Sequence, residues 1–167
     1  MTTFWWKDVI KPGLIAVLET IPGMVRPNAA GANTAVLGAW PTSITGNEPV
    51  VSVLYNGETQ EQTGQVYIIE YTPIIRLWVQ WQDFTAAEAT LDEHSGLIPN
   101  AVTANPLLLG AIAAEATIRG GAGARFDPTR ATERDFYAVG GATKATLDIP
   151  VRVQIKVATT TLRSLTP

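Results

Sequence analysis

Two stretches of strict alternation constrain this chain more than any other feature. From Val66 to Trp81, one parity holds Tyr67, Ile69, Tyr71, Pro73, Ile75, Leu77, Val79 and Trp81 and is almost wholly apolar. The other parity holds Val66, Ile68, Glu70, Thr72, Ile74, Arg76, Trp78 and Gln80 and is mixed. A period of two is the mark of a β-strand, whose side chains point alternately to opposite faces. A 16-residue strand would span roughly 50 Å, far beyond the usual ~17–20 Å, so it must bend or project from the core. Pro73 cannot donate to a ladder and marks an edge or a bulge within it. The second stretch, Ala145 to Ala158, alternates more cleanly. Leu147, Ile149, Val151, Val153, Ile155 and Val157 are expected to face inward. Asp148, Pro150, Arg152, Gln154 and Lys156 are expected to face out.

The remaining elements group around these two. Trp6, Val9, Ile10, Leu14, Val17, Leu18 and Ile21 recur at helical spacing, with Pro12-Gly13 inside the run and Pro22-Gly23 at its end. That helix is either kinked at Pro12 or starts near it. Residues 24–48 have no sustained period and predict an extended loop, with room for a short strand at 35–40. A strand over 49–55 meets Asn56-Gly57, a turn signal, and a polar, turn-like stretch up to Gln65. Asp83 is placed to cap a helix with Phe84, Ala87, Leu91, Leu97 and Ile98 on its apolar face, ending or bending near Gly96 and Pro99. A third helical stretch is predicted over 107–118, a glycine-rich loop over 119–133, and a short strand over 135–139 before Gly140-Gly141. The expected fold class is α+β: a mainly antiparallel sheet with long strands, and two or three helices packed on one face.

At 167 residues and 46% apolar content, the expectation is a single domain over 1–167 with extended loops near 24–48 and 119–133. The net charge of −3 offers no basic stripe to neutralise phosphates, which argues against tight sequence-independent DNA binding. The chain has no cysteine, so disulfides, thiolate catalysis and cysteine-based zinc sites are excluded. The N-terminus lacks the pattern of a signal peptide, and no apolar run approaches the ~20 residues of a membrane span, so an intracellular protein without membrane contact is expected.

No constellation reads as catalytic, cofactor-binding or metal-binding. The one histidine, His94, lies beside Asp92 and Glu93 but two residues past Asp92, so the three do not share a helix face. It is read as part of a solvated helix surface. No serine sits in a Gly-x-Ser-x-Gly turn, and Gly121-Ala122-Gly123-Ala124-Arg125 lacks the context of a phosphate loop. Five tryptophans stand out, at 5, 6, 40, 78 and 81. Tryptophan is enriched at subunit contacts. Trp78 shares the mixed parity with Ile68, Ile74 and Arg76, and these four are the candidate subunit-interface residues. No cofactor is expected.

The order of elements resembles the tail terminator (minor tail) proteins of long-tailed bacteriophages. Three stretches carry the resemblance: Leu14 to Gly23 as first helix and its end, Tyr67 to Val79 running into 86–91 as long strand into helix, and Gly140 to Ala145 leading into Leu147 to Val157 as closing strand pair. The resemblance implies a structural virion protein that forms a homo-oligomeric ring, a hexamer. The ring would cap the tail tube, end tube polymerisation and join the tail to the head connector. Implied partners are further copies of the chain, the tail tube protein and the head-proximal connector protein, with DNA only passing through the lumen. The alternatives are a tail tube or head-completion subunit, and a ligand-binding or enzymatic α+β domain.

Overall fold

The computed structural model of the chain describes residues 5–44, 47–81, 83–112 and 123–158. A π-helical turn, Trp5–Ile10, runs into helix α1, Lys11–Leu18. Strands β1 (Val36–Leu37), β2 (Val50–Leu54), β3 (Glu58–Thr63), β4 (Val66–Tyr71) and β5 (Ile74–Gln80) follow. Helix α2 covers Phe84–Ala104, and the chain ends in β6 (Gly123–Phe126), β7 (Glu133–Val139) and β8 (Ala142–Ala158). The fold is α+β, with eight strands in one sheet, antiparallel except where β1 meets β2.

The two alternating stretches lie side by side as its backbone. β5 pairs with β8 from Gln80 opposite Lys144 to Ile74 opposite Pro150, and β4 continues from Tyr71 opposite Val153 to Val66 opposite Ala158. No register is lost across Thr72-Pro73, so the whole of 66–80 is one strand in pairing, interrupted where Pro73 has no N–H to give. Pro73 instead accepts from Val151 N through its carbonyl, at 3.0 Å. β2 and β3 flank this pair as a second broken strand. Leu54 stands opposite Ile74 and Glu58 opposite Tyr71, so three residues, 55–57, face two, 72–73. That extra residue is a β-bulge, which bends a strand. Gly57 takes φ +105° to make it, and its carbonyl accepts from Thr72 N at 3.1 Å.

The sheet thus has two halves sharing long strands. One runs β1-β2-β5-β8-β7, the other β3-β4-β8-β6. Asn56-Gly57 is therefore a bulge and not a hairpin turn. The polar stretch after it, expected as a loop, is strand β3, and the turn falls at Gly64-Gln65. β7 reaches β8 through Gly140-Gly141, at φ +59° and +81°, the two positive values that a tight primed turn demands.

The inward parity is as expected: Ile75, Leu77, Leu147, Ile149, Val151, Val153 and Ile155 are all buried. α1 brings Leu14, Val17 and Leu18 to this face, and α2 brings Ala87, Leu91, Ile98 and Val102. α2 does not stop at Pro99 but runs to Ala104. A proline inside a helix costs about 3 kcal/mol. Burying Ile98 and Val102 on either side contributes about 1.5–3 kcal/mol each, enough to offset it. The Asp83 carboxylate caps α2, accepting from Ala86 N at 3.1 Å. The third helix is not found in the described part of its range: Leu108 and Leu109 take φ +51° and +56°, leaving only a 3-10 turn at Leu108–Gly110. Residues 113–118 of that expectation, and 119–122 of the glycine-rich loop, lie outside the described residues.

The excursion at 24–48 is more organised than its composition implies. Asn33 is its hub. Its Oδ1 accepts from Arg26 N and Ala35 N, and its Nδ2 donates to Glu19 Oε1 and the Met24 carbonyl, all at 2.8–3.0 Å. Arg26 donates to Glu48 and to the Pro49 carbonyl, tying the two ends together. The loop folds back over the second face of the sheet.

Candidate subunit interface

The mixed parity of β5 and β8 makes that second face. Ser52 of β2, Arg76 and Trp78 of β5, Asp148 of β8 and Tyr137 of β7 all point to it. Trp78 is fully buried and donates from its indole to Ser52 Oγ at 2.9 Å. Trp40, delivered by the 24–48 excursion, meets Trp78 and Tyr137 edge-on, with ring centroids 5.2 Å away in each case. Arg76 lies among these rings, its guanidinium carbon 4.8 Å from the Trp40 centroid and 4.5 Å from that of Tyr137. It donates to both oxygens of Asp148, from Nε at 2.6 Å and Nη2 at 2.7 Å. Those hydrogen bonds outweigh the opposing effect of burial and raise the guanidinium's already high pKa.

Trp78 and Arg76, expected on a face open to a partner, are both covered by the chain itself. Of the covering side chains, Leu37, Trp40 and Ile44 come from the stretch without a sustained period and Tyr137 from β7, so alternation in β5 could not reveal them. Ile74 is half-buried, next to the bend, and lines a small cleft with Arg130, Glu133 and Asp148. Ile68 is half-buried in the other half of the sheet, opposite Glu61 and Lys156. The four candidates do not form one exposed patch.

His94 is likewise not on a solvated face. It is buried on the stripe of Ala87, Leu91, Ile98 and Val102, with Nδ1 2.9 Å from the Thr90 carbonyl. The spacing 87, 91, 94, 98, 102 is helical throughout and could have placed it. Among the described residues, no three His, Asp or Glu side chains group closely enough to hold a metal ion. No helix among them is long and apolar enough to cross a membrane.

Large apolar side chains are exposed elsewhere. Phe84, expected on the buried face of α2, is 63% exposed, and Phe136 on β7 is 53% exposed. Both rings pack edge-on to Trp81, at 5.2 Å and 4.6 Å. Arg134, two residues before Phe136, donates to Glu88 and Asp92 of α2, fixing strand and helix side by side. Sequence reasoning passed over Phe136, because one aromatic in a short strand reads as core.

The sequence matches no family model and no curated protein. The fold, however, has a solved counterpart. A chain of the virion of the native gene transfer agent (GTA) particle superposes with a TM-score of 0.56 at 15% sequence identity. The likeness covers 93% of this chain and 100% of that one. At that identity it is a likeness of fold.

Proposed function

We propose that the protein is a structural component of a phage-like virion, and that its place is the head-proximal end of the tail as a ring-forming terminator. The end-to-end likeness of fold to a chain of the GTA virion carries this reading, because it leaves almost no part of either chain unmatched. The tail-terminator resemblance of the sequence supplies the finer role. A homohexameric ring would cap the tail tube protein, end its polymerisation and present its other side to the connector protein. The net charge of −3 suits a lumen through which DNA slides, since no surplus of cations is available to hold phosphates. The proposed role is assembly, not catalysis.

Particle size tests this directly. Light scattering and negative-stain electron microscopy across rising protein concentration are expected to show closed rings of one diameter. Open tubes of variable length would point instead to a tube subunit. A monomer at every concentration, alone and with tail tubes, would overturn the proposal.

A further inference from the structure

The proposed ring needs two different surfaces on each subunit, and two separate aromatic surfaces are exposed on the fold. On the β7 side is the aromatic cluster of Trp81, Phe84 and Phe136, with two rings more than half exposed. Asp83, Glu88 and Asp92 of α2 lie beside it, with Arg134 of β7 paired to Glu88 and Asp92, so three carboxylates meet one cation there. On the β1 side is an open cleft of about 450 Å³, lined by Lys11, Leu37, Gly38, Trp40 and Pro41. Trp40 leaves half its surface exposed there. Lys11 brings positive charge to its rim.

We propose that the Phe84–Phe136 knob of one copy seats in the Lys11–Trp40 cleft of the next. Exposed aromatic clusters rimmed by charge mark interaction sites, and buried aromatics anchor interfaces. The occupant is a second copy because knob and cleft are both aromatic and differ in sign of charge. Because knob and cleft are different surfaces, the contact is head-to-tail, the kind that generates rings when the rotation closes. The ring reading is presupposed; the proposal adds which surfaces meet.

The chain has no cysteine, so two single-cysteine variants can report the contact: Thr85→Cys beside the knob and Thr42→Cys in the cleft, both at exposed positions. Each is made separately and treated with a short bismaleimide, alone and mixed. Cross-linked dimer in the mixture alone, under conditions where the wild type assembles, is the expected result. Cross-linking of Thr85→Cys with itself would mean knob against knob and overturn the proposal. Assembly without a cross-link in the mixture would overturn it too, while leaving the ring reading standing. A wild type that stays monomeric would remove both. As a second measurement, Phe84→Ser with Phe136→Ser is expected to raise the concentration needed for assembly more than about tenfold, with the melting temperature unchanged. An unchanged assembly curve counts against the knob.

Discussion

Arg76 and Asp148 form an ion pair largely withdrawn from water, with side chains 9% and 17% exposed. Nε and Nη2 of the guanidinium each donate to one oxygen of Asp148, while Trp40, Trp78 and Tyr137 enclose the guanidinium and Nη1 is left buried without a hydrogen-bond partner. Such a pair contributes little net stability when intact, because desolvation offsets its attraction, but breaking it strands a buried charge. Asp148→Ala is therefore expected to lower unfolding free energy by about 3 kcal/mol, measured by urea denaturation. Arg76→Met combined with Asp148→Leu is expected to recover most of that loss. A double variant no more stable than Asp148→Ala would show that the pair itself, and not the stranded arginine, carries the energy.

At the scale of the element, β8 is the strand on which both halves of the sheet depend, and its facing can be tested. Val153 is fully buried, opposite Tyr71 on one side and Ala124 on the other. Val153→Asp is expected to cost several kcal/mol and abolish the cooperative melt seen by circular dichroism. Lys156→Ser, on the outward parity, should move stability by no more than ~0.5 kcal/mol. A soluble, cooperatively melting Val153→Asp would mean the facing is reversed. This facing was legible because period two is local: each residue from Leu147 to Ile155 declares its side by its neighbour's polarity. The same locality explains the misreadings. Asn56-Gly57 carries the positive φ of a turn, but the chain uses it for a bulge, and only the pairing partner across the sheet separates the two. Phe84 sits at helical spacing with Ala87 and Leu91, yet at the first turn of α2 it projects past the sheet onto Trp81. Trp78 looked unpartnered because its cover, Trp40, lies 38 residues away in a stretch with no period. Contacts made by register or by a returning loop are not written in the segment that receives them.

At the scale of the molecule, the bend raises the question of whether the two half-sheets behave as one. Two breaks lie side by side there: Pro73 removes a donor from one strand, and the bulge at 55–57 kinks its neighbour. Against them stand the unbroken β8, which pairs in both halves, and a core that runs from Ile75 and Leu77 across to Ile69, Val153 and Ile155 without interruption. Trp6 adds a bridge, stacking on Tyr71 and meeting Tyr55 edge-on at the bend itself. Shared covalent strands and a shared core favour one cooperative transition, as in most small domains. Two probes can tell. Trp40, Trp78 and Trp81 all belong to the half containing β5 and β7, so tryptophan fluorescence weights that half. Far-UV circular dichroism reports both halves and the helices. Urea transitions followed by the two are expected to coincide, with one midpoint and one slope. If the dichroism change instead splits, with a phase that fluorescence does not see, the β3–β4 half unfolds by itself. The bend would then be a joint between two units and not a curve in one sheet.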